Sequence, residues 1–223
     1  RDLGAFFGLH RAPPLPFIPE ERHGEHMAVV VTCWNGDPDE AEEALAPLRS
    51  AGPDVAEHVG RMPYPALQSA FDELLPPGLY SYWKSDFAAD VGEEAIEAHV
   101  EHGAKVPNVH SAMHIYPLTG AVQDVGPTET AFGVRDADFA VNIVGLWPDP
   151  ADNEANTAWV RDYYEAVHPH SGYEGGYTNF MEAEDQERVR QNYGASYDRL
   201  ARVKATWDPG NLFRRNQNIR PAA

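Results

Sequence analysis

The chain has 223 residues, of which 43% are hydrophobic and 23% are charged, and its formal net charge is −18. This length is enough to bury a substantial core in one domain. The negative charge argues against binding to nucleic acid or to an anionic membrane surface, and no apolar run approaches the roughly 20 residues that cross a bilayer.

Charge is unevenly distributed along the chain. Residues 195–223 contain six basic and two acidic residues, so the other 194 residues carry 11 basic and 33 acidic ones, a net charge of −22. Only three of the 17 cations are lysines. Acid-rich, lysine-poor surfaces suit high salt, where repulsion between carboxylates is screened. The composition favours a halophilic source, although GC-rich coding would give the same arginine bias.

The single cysteine and the start of the chain give limited information. Cys33 lies in a β-branched apolar run and is predicted to be a core residue, because free cysteine is among the most buried residue types; an exposed thiol is the alternative. The sequence begins at Arg1 without an initiator methionine or an apolar leader, which suggests a mature chain or an excised piece. The cellular compartment is not determined by the sequence, and a soluble, cytoplasmic location is slightly favoured.

The first half of the chain alternates between strand and helix patterns. The segments GAFFGLHRAP and HMAVVVTCWNG predict two strands joined by a proline-rich excursion. DPDEAEEALAPLRSAG predicts a helix with Asp37 as its cap. Next come a helix in YPALQSAFDELL, a strand in LYSYWKSDF, and a helix in GEEAIEAHVEHGAK with apolar positions at Ala95, Ile96 and Val100.

Two more strands, HSAMHIYPLTGAV and FAVNIVGLW, precede a long helix from about Ala151 to Val167. Because the strands come in pairs and singly rather than in strict alternation with helices, the pattern predicts an α+β fold in which helices cover one face of an antiparallel sheet. In FAVNIVGLW, alternation places Phe139, Val141 and Ile143 on the helix-covered face. Asn142 then projects from the opposite face, where its amide needs water, a partner or a ligand.

The pattern changes at residue 171. Glycines surround Tyr173 and Tyr177, and two helical stretches follow, the second with Tyr197, Leu200, Val203 and Trp207 at helical spacing. Pro209 and Gly210 end that helix. The remaining LFRRNQNIRP is too short to fold by itself, and its apolar side chains predict that it lies on another surface.

The C-terminal motifs carry a resemblance to a known family. YTNF at 177–180, YDRLARVKATWDPGNLF at 197–213 and NQNIRP at 216–221 resemble the closing signature of the berberine-bridge-enzyme-like FAD-linked oxidases of the vanillyl-alcohol-oxidase superfamily. Upstream segments are similar to the substrate domain of that family, so the resemblance covers nearly the whole chain. One departure is Val134, where many members carry a histidine before the arginine matched by Arg135.

The resemblance implies a division into a substrate-binding α+β domain, residues 1–170, and a berberine-bridge-type C-terminal segment, residues 171–223. It also implies an N-terminal FAD-binding domain of the same protein, absent from this chain, which holds most of the FAD. In such enzymes the sheet of the substrate domain covers the flavin and the C-terminal segment crosses back onto the FAD domain. The basic tail is therefore expected to dock on that domain.

The resemblance also implies site residues. Tyr177 matches the tyrosine of the Tyr-x-Asn motif and is the candidate catalytic residue, since a phenol can donate to the substrate or, when deprotonated, accept its proton. Asn179, Asn216 and Asn218 are candidates for binding FAD. A packed tyrosine and purely structural amides are the alternatives.

Candidate substrate contacts come from the strands. Asn142 projects from the open side of its strand, while Tyr82 and Lys84 share one face of LYSYWKSDF. No metal site is expected, because His110 and His114, four residues apart on one strand, would lie about 13 Å apart.

Two functions from different classes remain at this point. The first is the substrate-binding and C-terminal part of an FAD-dependent oxidoreductase that oxidises an alcohol, sugar or similar C–H donor by hydride transfer to flavin, with this piece inactive alone. The second is a free-standing α+β module that binds a small ligand or dimerises without catalysis. The oligomeric state, the substrate and the electron acceptor are not determined by the sequence.

Overall fold

A computed structural model describes residues 2–52, 55–182 and 186–223. Across these residues the strands are β1 (Leu3–Arg11), β2 (His26–Trp34), β3 (Tyr80–Ala88), β4 (Ala112–Pro117) and β5 (Phe139–Trp147). The α-helices are α1 (Ala41–Arg49), α2 (Tyr64–Gln68), α3 (Glu93–Gly103), α4 (Asn153–Val167), α5 (Gln186–Tyr193) and α6 (Tyr197–Trp207).

The strands form one five-stranded sheet in the order β2-β1-β4-β5-β3, and every pair is antiparallel. This confirms the predicted α+β class with an antiparallel sheet. The register places Ser85, Asn142, His114 and Gly8 directly opposite one another on β3, β5, β4 and β1. Their side chains therefore point to the same face.

Helices cover the other face of the sheet, as expected from the alternation in β5. Helix α4 packs on β3 and β5, and α3 packs on α4. Val141 and Ile143 of β5 lie in one buried cluster with Val160 and Tyr163 of α4. The Tyr163 hydroxyl donates to the backbone carbonyl of His99, 3.0 Å away, which ties the two helices together.

The predicted orientation of α3 is wrong in part. Ala95 is buried as expected, but Ile96 is 51% exposed and Val100 is 60% exposed, whereas His99 and Gly103 are buried. Positions 95, 99 and 103 repeat every four residues and form the inward stripe. A side chain at Gly103 would overlap Leu9 of β1, so the approach of this end of the helix to the sheet requires glycine.

Two helix boundaries also differ from the sequence prediction. Helix α1 begins four residues after Asp37, whose carboxylate accepts from the backbone N–H of Asp39 within a turn. The second predicted helix is interrupted after Gln68, and its remainder forms a short 3₁₀ turn over Asp72–Leu74. In both cases local turns replace an end of the predicted helix, where the first N–H groups or the last C=O groups lack intrahelical partners.

Cys33 is exposed, so its prediction as a core residue is wrong. The residue lies near the end of β2, which is an edge strand of the sheet, and its neighbour across the strand pair is Gly4. Glycine has no side chain with which to cover the thiol. Apolar composition alone does not show that a strand lies at the edge.

Residues 171–223 pack on the sheet domain through backbone contacts to β3. Phe87 donates its N–H to Gly175 O at 3.0 Å, and the N–H of Ala89, just past the strand, bonds Ser171 O at 2.9 Å. Gly176 lies so close that a Cβ there would be 2.3 Å from Ser85 O, so only glycine permits this approach. The division of the chain at residue 170 stays a prediction.

The stripe predicted on α6 is only partly buried. Tyr197 and Ala201 pack with Val189 and Ile219, while Val203 and Trp207 are exposed, Trp207 at 83%. The chain end is tied to the helix because Ala222 donates its N–H to Ala201 O at 3.0 Å. Leu212 and Phe213 are each 78% exposed. Large apolar side chains are thus exposed both at the end of α6 and in the tail.

A buried carboxylate joins β3 to the region after α4. Asp86 is 2% exposed, and its Oδ2 lies 2.6 Å from His168 Nδ1. Asp86 Oδ1 has no hydrogen-bond partner among the described residues. Burial raises the pKa of Asp86 to about 6, and His168 and Arg188 oppose the shift.

This arrangement predicts a specific pH dependence of stability. Because the folded pKa is raised, Asp86 contributes stability that is fully present below about pH 4 and is lost as the pH rises through about 6. Asp86→Asn removes this titration, so the free energy of unfolding of the variant relative to native protein should rise by up to about 3 kcal/mol between pH 4 and 7. Urea unfolding of the full-length protein across this range measures it.

Asp90→Asn, an equal charge change at an exposed position after the same strand, is the matched control. Curves for Asp86→Asn and native protein that stay parallel from pH 4 to 7 would contradict the assignment.

Candidate functional site

The face of the sheet opposite α3 and α4, here called the open face, carries the candidate site. Alternation and the strand register identify its residues. They are Gly4, Phe6, Gly8 and His10 of β1; Met27, Val29, Val31 and Cys33 of β2; Ser81, Trp83, Ser85 and Phe87 of β3; Ala112, His114 and Tyr116 of β4; and Ala140, Asn142, Val144 and Leu146 of β5.

Tyr177 is held next to the open face by its backbone. Its N–H donates to Ser85 Oγ at 3.2 Å, and Ser85 Oγ in turn donates to Val141 O at 2.8 Å. Ser85 is buried, so this hydroxyl bridges the sheet and the C-terminal segment in a dry environment. The Tyr177 hydroxyl accepts a hydrogen bond from Asn179 Nδ2 at 3.2 Å.

Phe180 extends the same segment across the sheet. Its ring stacks on Tyr116 at 5.4 Å between centroids and lies 6.2 Å from Trp83 and 5.0 Å from Tyr177. Aromatic pairs at these separations are attractive in tilted or offset arrangements. Tyr177 and Tyr116 therefore flank one phenylalanine, and both belong to a single aromatic wall.

Two polar atoms in this region are buried without a hydrogen-bond partner among the described residues. One is Oδ1 of Asn142, a residue that is only 1% exposed, and the other is Nε1 of Trp83. Buried polar atoms in native proteins nearly always have partners, and an orphan points to a missing water or ligand. The pair offers one acceptor and one donor on the open face.

A chain of three hydrogen-bonded side chains lies beside Asn142. The Tyr116 hydroxyl is 3.0 Å from His114 Nδ1, and His114 Nε2 is 2.9 Å from His10 Nε2. Burial lowers the pKa of His10 to about 4 and that of His114 to about 3, and it raises the pKa of Tyr116 to about 12. All three groups are therefore neutral near pH 7.

The hydrogen-bonded trio of Tyr116, His114 and His10 was not predicted from the sequence. The alternation in β4 does place His114 and Tyr116 on one face, but His10 is 104 residues away from His114 and meets it only through the register of β1 and β4. The predicted strand also included His110, which lies in the turn before β4 and bonds Leu74 O at 3.2 Å. No pattern within one strand reveals a contact between strands.

Comparisons with known proteins agree with this geometry. Residues 176–220 match the family model described as berberine and berberine like. The FAD-linked oxidoreductase YgaK of Bacillus subtilis is 29% identical over 191 residues, which cover 83% of this chain and 41% of that protein. Aclacinomycin-N/aclacinomycin-A oxidase of Streptomyces galilaeus is 32% identical over 130 residues, 51% of this chain and 24% of the oxidase.

The chain is therefore similar to berberine-bridge-enzyme-like proteins, and its residues 176–220 carry the match to the family model. The solved structure of BBE-like protein number 28 of Arabidopsis thaliana has the same fold, with a TM-score of 0.75 at 18% identity, over 100% of this chain and 51% of that one. The chain thus spans about two fifths to one half of the relatives that it matches along most of its length.

Tyr82 and Lys84 lie on the helix-covered face, away from Asn142. The Tyr82 hydroxyl accepts from Arg161 Nε at 3.3 Å, and Lys84 Nζ lies over the Tyr164 ring, 5.5 Å from its centroid. Even-numbered positions of β3 point toward α4 in the observed register. The structure therefore does not bring these two side chains together with Asn142.

The asparagines predicted to bind FAD lie in two places. Asn179 is exposed beside Tyr177, while Asn216 and Asn218 lie in the tail, Asn216 with a left-handed backbone at φ 58°. Gln217 between them is buried, and its Nε2 donates to Glu182 O at 2.6 Å. The tail is thereby tied to the chain just after the Tyr177 motif.

Other candidate sites are not supported within residues 2–52, 55–182 and 186–223. No group of three or more metal-ligating side chains occurs there, and no helix in those ranges is long and apolar enough to cross a membrane. A cavity of about 650 Å³ lies between α5, α6 and the chain end, lined by residues such as Arg190, Tyr197 and Arg220. It does not include any residue of the open face.

The Ser85 bridge yields a prediction about local stability. Ser85→Ala removes the acceptor of the Tyr177 N–H and leaves a buried donor unpaired, which costs about 1–3 kcal/mol. Hydrogen exchange of the amides at 177–180 in the full-length protein should accelerate by about tenfold, while that of the β5 core amides should change little. Mass spectrometry of exchanged peptides measures both.

Ser81→Ala, an exposed serine on the same strand and the same face, serves as the control and should leave this exchange unchanged. Equal protection of 177–180 in native protein and Ser85→Ala would show that the segment does not depend on this hydrogen bond.

Proposed function

We propose that the chain is the substrate-binding and C-terminal part of an FAD-dependent oxidoreductase that oxidises an alcohol, sugar or similar C–H donor. The observation that carries the proposal is the position of Tyr177, whose backbone N–H bonds Ser85 of the open face and whose hydroxyl accepts a hydrogen bond from Asn179. The match of residues 176–220 to the berberine and berberine like family model and the similarity to FAD-linked oxidoreductases support it.

The open face fits a flavin and a substrate chemically. Its strands contribute hydroxyl, amide, imidazole and indole groups among apolar side chains, and the orphan atoms of Asn142 and Trp83 provide an acceptor and a donor. Asn179, Asn216 and Asn218 would hold FAD through their amides, together with an N-terminal FAD-binding domain of the same protein. Bound FAD supplies the two-electron acceptor that takes a hydride from the substrate carbon.

The residues of this chain would manage the proton and the geometry. As the phenolate, Tyr177 would accept a hydrogen bond from the substrate hydroxyl and take its proton as the C–H bond is broken, which leaves a neutral phenol. The bond donated by Asn179 stabilises negative charge on the phenol oxygen during that transfer. Phe132 and Phe180 contact the Tyr177 ring at 6.0 and 5.0 Å, so the ring is fixed and water is excluded on two sides.

The C-terminal tail would dock on the FAD-binding domain. Val203, Trp207, Leu212 and Phe213 are apolar side chains that α6 and the tail leave exposed, and a group of exposed large apolar residues marks an interaction site. Residues 195–223 are also net positive in an otherwise acidic chain. Gln217 points inward while Asn216 stays exposed, so the tail is anchored on one side and available on the other.

The role of Tyr177 predicts a kinetic effect of a small change. Tyr177→Phe removes one hydroxyl and keeps the ring contacts, so the flavin content and the melting temperature of the full-length protein should be retained. The rate of flavin reduction by the best donor from a panel of alcohols and sugars should fall by roughly 10²-fold, the usual scale for a lost acid–base group. Anaerobic single-turnover absorbance measurements give this rate.

Tyr80→Phe, which removes the hydroxyl of an exposed tyrosine on the opposite face of β3, is the control and should reduce flavin at the native rate. Unchanged reduction in Tyr177→Phe would assign Tyr177 to packing and place the proton acceptor elsewhere.

We further propose that the protein works at high ionic strength, because residues 1–194 carry a net charge of −22, from 11 basic and 33 acidic residues. Repulsion between these carboxylates destabilises the compact state in dilute buffer and is largely screened at about 1 M salt, where the Debye length is ~3 Å. The melting temperature should therefore rise with added potassium chloride. Chloride is preferred to sulfate, which stabilises proteins by exclusion. A flat or falling melting temperature would contradict the proposal.

A further inference from the structure

The open face is uncharged although the chain is strongly acidic. The strand residues that form it include no aspartate, glutamate, lysine or arginine, while the whole chain contains 35 acidic and 17 basic residues. At the rim, Arg135 donates to the carbonyls of Phe132 and Val122 and to Thr130 Oγ1. Its guanidinium is thus occupied by this chain.

The polar groups of the open face are neutral hydrogen-bonding groups with unused capacity. Asn142 Oδ1 and Trp83 Nε1 are buried without partners among the described residues, and Asn142 lies directly opposite His114 in the sheet. Rings of Phe6, Tyr116 and Phe180 stand beside them. Such a surface pairs with a polar group of a molecule that also presents an apolar or aromatic body.

The histidine pair gives the Tyr116 hydroxyl a defined partner. Gly8 makes the pair possible, because a Cβ at that position would lie 2.7 Å from His10 Nε2 and 3.0 Å from His114 Cδ2. Two neutral imidazoles joined through their Nε2 atoms share one proton between those atoms. The hydrogen bonds among His10, His114 and Tyr116 can therefore run in either of two directions. In one, Tyr116 donates to His114 Nδ1; in the other, His114 Nδ1–H donates to Tyr116.

The hydroxyl of Tyr116 can therefore act as an acceptor or a donor toward a ligand without any change in net charge. In the first arrangement its lone pairs face the ligand, and in the second its O–H does. The low pKa values of both histidines, caused by burial, keep the pair neutral in either state. An ammonium or carboxylate group would find no counter-ion from the strands of this face.

We infer that the open face selects an uncharged substrate with a hydroxyl or carbonyl group, which hydrogen-bonds to Tyr116, and that the His114–His10 pair positions the Tyr116 hydroxyl. The inference rests on the proposed function, because it concerns the substrate of the same site. It narrows the donors to neutral hydroxylated molecules and excludes amines that are cationic at neutral pH.

Three probes with the same ring test the charge preference. Benzyl alcohol is neutral and carries a hydroxyl, benzylammonium is cationic, and toluene has neither group. Isothermal titration calorimetry on the full-length protein at pH 7 should show that benzyl alcohol binds at least about fivefold more tightly than either of the others, the scale of one net hydrogen bond. Binding of benzylammonium as tight as that of the alcohol, or no binding of the alcohol, overturns the inference.

Variants then test the roles of Tyr116 and His114. Tyr116→Phe should abolish the preference for benzyl alcohol over toluene while leaving toluene binding unchanged. His114→Asn keeps a polar atom near the Nδ1 position that bonds Tyr116, whereas His114→Gln keeps one near Nε2. Recovery of the preference in His114→Asn and its loss in His114→Gln support the positioning role, since a purely structural role would affect both equally. Equal preference in both variants overturns that role.

The proposed function fails separately from this inference. If the full-length protein neither contains FAD nor is reduced by any alcohol or sugar, the oxidoreductase proposal is wrong. If it contains FAD and is reduced by such donors but shows no preference for the neutral probe, only the inference about charge and Tyr116 is wrong. Calorimetry does not require turnover, so the two outcomes are measured independently.

Discussion

The register of β3, β5, β4 and β1 is the constraint on which the candidate site depends. It sets Ser85, Asn142, His114 and Gly8 in one row, so that a backbone anchor, an orphan amide and a histidine pair share one face. A slip of one residue in any strand would move its members of the row into the helix-covered core. The core that contains Val141, Ile143 and Tyr163 therefore maintains this register, because a slip would bury polar residues in it, which is costly.

Ser85 links this row to the C-terminal segment. One hydroxyl donates to the sheet at Val141 O and accepts from Tyr177, and Gly176 lets the backbone approach to within contact of β3. The segment is thus held by backbone interactions, which leave the side chains of Tyr177 and Phe180 available on the open side. Further along the chain, the buried side chain of Gln217 anchors the tail through a bond to a backbone carbonyl, while the neighbouring Asn216 stays exposed.

Much of the fold followed from patterns within single segments, whereas the site required contacts between segments. Alternation in FAVNIVGLW predicted the face of Asn142, and that of LYSYWKSDF placed Tyr82 and Lys84 together, both as observed. Whether those two faces coincide depends on the register, and they do not. The same limit applies to His10, which meets His114 across strands, to Cys33, exposed on an edge strand, and to α3, whose rotation is set by the fit of Gly103 against Leu9.

The arrangement of the sheet also explains why the strand residues of the open face are uncharged in so acidic a protein. Carboxylates stay on the solvated surface, because ionised groups on a half-buried face would lose hydration without gaining a partner. The histidines of the open face meet the same cost by remaining neutral, and they satisfy each other's ring nitrogens. Asp86 is buried on the helix-covered side and meets the cost of burial in another way: its pKa is raised, and it forms a hydrogen bond with His168. A face built without counter-ions is suited to a ligand whose own charge is zero, whatever the net charge of the surrounding protein.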